Sequence, residues 1–249
     1  MKITPDTSIL FQIPLAGGFV FDISMTLVGT WMVMAFLFFT CRRLTRDFSA
    51  DFHMTRTQNA VEVVVKFVRD QISAVLGKKA DAFLPLIGSL FVFILVSNWS
   101  GILPIPFMVD GDLEWYRPPT SSLSTTAALA LVVLASVTIY GIKSHGAVKY
   151  FKRFMRPLFV MLPINLLSEI SRGVSLAVRL YGNILSGVML AAIVLALAPL
   201  FVPALVGIFS LVAGTIQPYV FAMLALFYIS AAIGDPDEGE QKGLEKIRP

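Results

Sequence analysis

The feature that most restricts the fold of this chain is the segregation of its charges. The run from Leu180 to Gly234 contains no Asp, Glu, Lys, Arg or His over 55 residues, and the runs Ile23–Cys41, Phe83–Val109 and Pro118–Ile142 are likewise uncharged. About 20 apolar residues cross a bilayer as a helix, so the shorter runs correspond to one span each and the longest run to two. Strands of a membrane barrel would be only about 10 residues long. The sequence therefore predicts an all-α integral membrane protein with five membrane crossings.

The composition agrees with this prediction and limits the function classes. The chain is 56% hydrophobic and 14% charged, whereas a soluble domain is about one quarter charged. The single cysteine excludes an internal disulfide. Because the chain has only this cysteine and two histidines, a metal site is unexpected. The net charge of +4 resides in loops, so it indicates orientation rather than nucleic-acid binding. We expect no metal, no cofactor and no nucleic-acid partner.

The order of apolar and polar segments predicts one membrane domain over 1–249. We assign an N-terminal lead at 1–20, span one at 21–41, an amphipathic surface helix at 57–77, span two at 83–104, span three at 120–142, two long helices at 161–198 and 204–233, and a polar tail at 235–249. The 161–198 helix is too long to stand upright in a hydrocarbon core about 30 Å thick. We therefore expect the last two helices to be long and tilted. The N-terminus lacks the pattern of a cleaved signal peptide, so we expect span one to be retained.

Positive residues predict the orientation of the spans. The loops after spans one and three are rich in Lys and Arg, whereas the loop between them contains only Arg117. Basic loops stay on the cytoplasmic side. We expect an external N-terminus, a cytoplasmic C-terminus and a multi-pass location in the inner membrane of a bacterium.

A polar stripe marks the first of the two long helices. At about 100° per residue, one face spanning roughly 80° carries Asn165, Glu169, Arg172, Arg179 and Asn183, with Ser186 just beyond it. A weaker stripe on the last helix carries Ser210, Gly214, Gln217 and Tyr228. Ionisable groups at membrane depth are costly and typically functional, so we treat the two stripes as the candidate site.

Each polar residue also has a structural alternative. Arg172 lies three residues from Glu169 and is its expected partner, whereas Arg179 lies ten residues away, about 15 Å along a helix. Arg179 can extend to the membrane interface, or it can block a cation path and keep a partner's carboxylate ionised. Gln217 can be an interhelical hydrogen bond worth about 1 kcal/mol, as can Ser210, Ser186, Tyr228 and Asn98. No catalytic motif is evident, so we do not expect an enzyme by itself.

The segment from Ser175 to Asn183, SLAVRLYGN, resembles the signature S-L-x-x-R-L-F/Y-G-N of subunit a of the F-type ATP synthase. Gln58, Asn59 and Glu62 resemble the family's Q-N-x-x-E, the segment NWSGILP resembles its N-x-x-G-L-x-P, and Gln217 fits its last-helix glutamine. Pro119–Leu131 resembles the start of its next helix. These similarities follow in order along nearly the whole chain after residue 20.

The resemblance implies a stationary ion-channel subunit of a rotary ATP synthase or ATPase. Its partners would be membrane lipid, a ring of c subunits and the b subunits of a peripheral stalk, the last near the basic loops and the surface helix. Arg179 would separate two half-channels and meet the ring carboxylates, with Gln217 beside it. Asn183, Glu169, Arg172, Ser210, Asn165, Ser186 and Tyr228 would complete the ion-translocation site.

The sequence departs from the family pattern at ionisable positions. Proton-translocating members usually carry Glu or His where this chain has Val188 and Ser210, and many carry acids at Asn165 and near Ser122 or Ser124. Hydroxyls and amides also suit a hydrated Na⁺, and the pattern resembles an N-type branch of these ATPases, so the ion is either H⁺ or Na⁺. The alternative function is a stand-alone secondary transporter, which predicts internal repeats. We find no such symmetry.

Overall fold

The computed structural model describes residues 9–14, 20–46, 56–101, 106–109, 112–116, 118–154, 161–197 and 202–234. Its helices are α1 Met25–Arg46, α2 Arg56–Leu76, α3 Ala80–Ser100, α4 Leu123–His145, α5 Ala147–Phe154, α6 Leu162–Leu197 and α7 Val202–Ile233. Two short antiparallel hairpins are formed by β1 Ile9–Pro14 with β2 Val20–Ser24, and by β3 Pro106–Val109 with β4 Asp112–Trp115. The predicted tail at 235–249 lies outside the described residues.

Five of these helices are long and apolar enough to cross a membrane, namely α1, α3, α4, α6 and α7. In a bilayer each backbone N–H and C=O needs a protein partner, and a helix supplies those partners within itself. The helices confirm the predicted all-α membrane fold with five crossings and a separate amphipathic helix. α6 is 36 residues long, or about 54 Å.

Three local features were not part of the sequence prediction. Both hairpins occupy segments predicted only as a lead or a loop, and α5 lies in the basic connection after span three. The sequence carries a signal for the second hairpin, since Val109 pairs with Asp112 across Asp110-Gly111, a dipeptide typical of two-residue hairpin loops. α3 ends at Ser100, with Gly101 as its C-cap, and residues 102–104, predicted as the end of span two, lie outside the described residues.

The surface helix α2 attaches to the bundle through one face. Val68 and Ile72 are buried, while Val63 and Phe67 on the remaining surface are exposed. Two polar contacts fix the helix. Arg69 Nε and Nη2 donate to Asp81 of α3 at 2.8 and 3.1 Å, and the Tyr219 hydroxyl of α7 donates to Gln71 Oε1 at 3.0 Å.

The core of the bundle is formed by α3, α4, α6 and α7, with α7 in contact with α2, α3, α4 and α6. Its fully buried side chains include Ile87, Ile94, Val133, Leu180, Phe221 and Ile229. α1 packs mainly against α3 and remains largely exposed. The arrangement places α6 and α7, which carry the two polar stripes, side by side.

Candidate functional site

Two contacts set the register between α6 and α7. Asn183 Nδ2 donates to the Ala213 carbonyl at 3.3 Å, and a Cβ on Gly187 would lie 3.4 Å from Ser210 Oγ. Later residues of α6 thus meet earlier residues of α7, so the helices run antiparallel. Moving back four residues in α6 and forward four in α7 brings Arg179 to the level of Gln217. The register therefore places both predicted key residues at one depth.

Arg179 lies on the exposed side of α6. Its neighbours Leu176, Ala177 and Leu180 are buried against the bundle, whereas Arg179 and Val178 are exposed. Among the described residues, no carboxylate lies within ion-pair distance of Arg179. The guanidinium is thus free to meet an anionic group on another molecule, and it stays charged at physiological pH.

Gln217 lies on the inner side of the same level. It is only 9% exposed, and its side-chain Nε2 has no hydrogen-bond acceptor among the described residues. An unsatisfied buried donor costs about 1–3 kcal/mol, so such groups in native proteins call for an explanation. The hydrogen-bond alternative for Gln217 therefore lacks an observed partner for this nitrogen.

The second arginine of the stripe is held within the chain. Arg172 Nη1 lies 3.3 Å from Glu169 Oε2, which is the ion pair that their spacing predicted. The Arg172 guanidinium carbon also lies 5.6 Å from the centroid of the Tyr228 ring, within the range of a cation–π contact. Arg172 thereby joins α6 to α7, so the two arginines of the stripe differ in their surroundings.

A cavity of about 650 Å³ opens between the later part of α6 and the earlier part of α7. The polar residues that line it are Asn98, Asn183, Ser186 and Ser210, and Gly187 and Val188 are also on its wall. Among the described residues that line it, none carries a titratable side chain. A space of this volume with amide and hydroxyl groups has room for many water molecules.

The structure separates the predicted site residues into three groups. Asn183, Ser186 and Ser210 line the cavity, and Ser186 Oγ donates to the Asn183 carbonyl at 2.9 Å. Glu169, Arg172 and Tyr228 form the ion-pair and ring contacts, with half-buried Asn165 one turn before Glu169. Arg179 and Gln217 share the level between these groups. Sequence reasoning did not assign Asn98 to the site, although its side chain faces the same cavity.

Comparisons with known proteins identify the family of the chain. The family model described as ATP synthase A chain matches residues 24–230. ATP synthase subunit a 1 of Crocosphaera subtropica is 44% identical over 233 residues, covering 94% of this chain and 95% of that protein. ATP synthase subunit a 2 of Acaryochloris marina is 42% identical over 232 residues, covering 93% of both chains. ATP synthase subunit a of Nitrosospira multiformis is 37% identical over 243 residues, covering 98% of this chain and 90% of that protein. The chain therefore belongs to the ATP synthase subunit a family, the non-catalytic membrane subunit of the ATP synthase.

Proposed function

We propose that this chain is the stationary ion-channel subunit of its ATP synthase and that Arg179 separates two ion half-channels at the face of a rotating c ring. The observation that carries the proposal is the exposed position of Arg179, without a carboxylate partner among the described residues. The family match favours this function over a stand-alone secondary transporter, since it covers most of the chain.

The exposure of Arg179 requires a polar partner outside the chain. A guanidinium at membrane depth is costly unless it faces protein or water. A carboxylate on a passing ring subunit would satisfy it, and the adjacent positive charge would lower the pKa of that carboxyl and release its bound ion. The same charge repels a free cation, so ions would not pass directly from one half-channel to the other.

The cavity between α6 and α7 supports one of the two half-channels. In the predicted orientation it lies toward the outer side, because α6 enters from the cytoplasmic side and the cavity is lined by its later residues. Val188 and Ser210, the two positions at which the resemblance implies ionisable groups in proton-translocating members of the family, both line this cavity. An ion would therefore cross it by means of water, amides and hydroxyls, which suits either a water-borne proton or hydrated Na⁺.

The exposed surfaces fit the proposed partners. The side of α6 that carries Arg179 and Val178 would face the c ring, so ring contact would cover a surface that is exposed in the isolated chain. The exposed residues Val63 and Phe67 on α2, next to the basic cytoplasmic loops, would meet the b subunits of the peripheral stalk and the lipid surface. These contacts would hold the chain still while the ring rotates.

ATP-driven ion uptake by vesicles that contain the whole assembled complex tests this function. We would compare uptake with and without Na⁺, each in the presence and absence of a protonophore. Na⁺ uptake that survives the protonophore would identify Na⁺ as the ion, whereas acidification that the protonophore abolishes and Na⁺ does not affect would identify H⁺. Vesicles that transport neither ion under ATP, despite a complete complex, would contradict the proposal.

A further inference from the structure

Pro218 interrupts the hydrogen bonding of α7 directly after Gln217. Proline has no backbone N–H and lies inside this helix, so it cannot donate to the carbonyl four residues earlier. That carbonyl belongs to Gly214, which is buried. A buried carbonyl without a donor costs free energy comparable to a lost hydrogen bond, so the position of Pro218 creates a need for a donor from elsewhere.

Asn98 supplies that donor from α3. Its side-chain Nδ2 donates to the Gly214 carbonyl at 2.9 Å, a normal hydrogen-bond distance. Gly214 permits the close approach, since a Cβ there would lie 3.6 Å from the Asn98 Cβ. Asn98 is itself only 7% exposed, and both residues lie at the wall of the cavity.

A third element orients the Asn98 amide. Its Oδ1 accepts a hydrogen bond at 2.7 Å from the hydroxyl of Thr120, which is completely buried. With Oδ1 held as an acceptor, the amide nitrogen is directed to Gly214. The neighbouring Trp99 Nε1 donates to Thr215 Oγ1 at 3.0 Å, so two consecutive residues of α3 donate hydrogen bonds to α7. Of these two residues, Asn98 is the one that reaches the carbonyl that Pro218 leaves free.

A proline in another helix shows when such a donor is unnecessary. Pro85 of α3 removes the donor for the carbonyl of Asp81, which lies in the first turn and is exposed. Water can satisfy that carbonyl. Gly214 is a buried residue, and its carbonyl receives its donor from the Asn98 side chain.

We propose that Asn98 is a positioning residue that replaces the helical hydrogen bond deleted by Pro218 and thereby fixes α7 at the level of Gln217 and at the wall of the cavity. Gly214 lines the cavity and lies one turn before Gln217. Loss of the Asn98 bond would leave this part of α7 free to shift relative to Arg179. The functional consequence rests on the ion-channel function proposed above, whereas the hydrogen bond itself does not.

A rescue experiment in the assembled complex tests the proposal. Asn98→Ala should lower ATP-driven ion uptake by about tenfold, because the Gly214 carbonyl loses its donor and this part of α7 can shift relative to Arg179. Pro218→Ala restores a backbone N–H opposite Gly214, so the double variant Asn98→Ala/Pro218→Ala should recover most of the lost uptake. A double variant no more active than Asn98→Ala would overturn the proposal, as would full uptake by Asn98→Ala alone.

Trp99→Phe is the matched control. It removes a hydrogen bond between the same two helices, but not the bond to the Gly214 carbonyl. Its effect should be the same in the presence of Pro218 or Ala at position 218. Equal rescue of Trp99→Phe by Pro218→Ala would mean that alanine stabilises α7 in general, and this result would also overturn the specific role of Asn98.

A spectroscopic measurement separates the hydrogen bond from the ion-channel function. Gly-Thr occurs only at Gly29-Thr30 and Gly214-Thr215, so glycine labelled with ¹³C at its carbonyl and threonine labelled with ¹⁵N select these two carbonyls by NMR. Thr30→Ser removes the first signal and assigns the second. Asn98→Ala should move the Gly214 carbonyl signal upfield and the double variant should return it, while an unchanged signal in Asn98→Ala would overturn the proposal. If Arg179→Ala retained full transport, the proposed function would fail, but this signal would still report on the bond.

Discussion

α6 and α7 pack side by side and each carries a key polar residue at the same depth, yet the residue on α6 is exposed and the residue on α7 is buried. α6 is the less buried helix, with 17% of its apolar window inside the protein against 44% for α7. It places Arg179 at the exposed surface, whereas α7 places Gln217 in the interior. A charged side chain at membrane depth is costly unless it faces protein or water. The arginine therefore lies on the exposed helix, where another molecule can reach it, and the neutral amide lies in the interior of the bundle.

The two ends of this helix pair also differ. Near Glu169, which pairs with Arg172 within α6, the two helices are joined by the contact of Arg172 with the Tyr228 ring. At the other end they border the cavity, where Asn183 donates to the Ala213 carbonyl. The pair is thus tied at one end and open at the other, with Arg179 and Gln217 between the two.

Replacement of Arg179 should have the largest effect. Arg179→Ala should abolish coupled ion transport while the chain still inserts and assembles, since the side chain is exposed and supports no core contact. The measurement is ATP-driven ion uptake, with the amount of assembled complex determined in parallel. Val178→Ala, at the adjacent exposed position, is the control and should retain transport. Full coupled transport by Arg179→Ala would contradict the proposal that the charge on α6 is essential for transport.

Replacement of Gln217 should have an intermediate effect. Gln217→Leu removes the buried Nε2 that lacks an acceptor among the described residues, so it relieves a cost of about 1–3 kcal/mol and should not weaken the fold. Transport should decrease, but less than in Arg179→Ala, because the neutral leucine leaves the positive charge of Arg179 in place. Uptake and thermal stability of the purified complex measure the two effects. A loss of transport as complete as that of Arg179→Ala would contradict the smaller contribution expected of Gln217.

Two phenylalanines of α7 test whether burial makes this helix the anchor. Phe221 is completely buried and Phe227 is 50% exposed. Phe221→Ala should destabilise the bundle by about 3–5 kcal/mol through the cavity that it leaves, whereas Phe227→Ala should have little effect. Thermal denaturation of the isolated subunit in one detergent compares the two variants. Equal losses would show that α7 is not anchored by the core.

Two glycines of α6 provide the finest test of how this helix packs. A Cβ on Gly173 would clash with the side chain of Leu134 in α4, whereas a Cβ on Gly182 would have no atom within 4 Å. Gly173→Ala should therefore cost about 1–3 kcal/mol by overpacking. Gly182→Ala should be neutral or slightly stabilising, since alanine is the better helix former by about 1 kcal/mol. The same denaturation assay measures both, and a larger loss in Gly182→Ala would contradict the packing of α6 on α4.

The hairpins illustrate why parts of the fold escaped prediction. Long uncharged runs in the sequence predict the membrane helices, because a span needs about 20 apolar residues. β3 and β4 have only four residues each, too few for a periodic signal, and the Asp110-Gly111 dipeptide between them is a purely local turn signal. The α5 helix is similarly short, with eight residues. Prediction was thus accurate where the signal is long and weak where it is local.

The candidate site divides in the same way. Helical spacing alone predicted the polar stripe, the pairing of Arg172 with Glu169, and the absence of a partner for Arg179 on its own helix. Spacing did not predict that Asn98, far away in the sequence, would bind the carbonyl that Pro218 leaves free. It also did not reveal the cavity, whose existence depends on how far α6 and α7 separate.

The membrane class, the five crossings and the face of α6 that carries charge were all predictable from the amino-acid sequence, because they depend on the length and the periodicity of apolar runs within one segment. The tertiary structure decided which side chains of that face are exposed, which are paired and where an open space remains. Leu176, Leu180 and Gly173 turn one side of α6 toward the bundle, and this packing leaves Arg179 on the outside. Such choices depend on contacts between segments distant in the chain, and no local pattern encodes them.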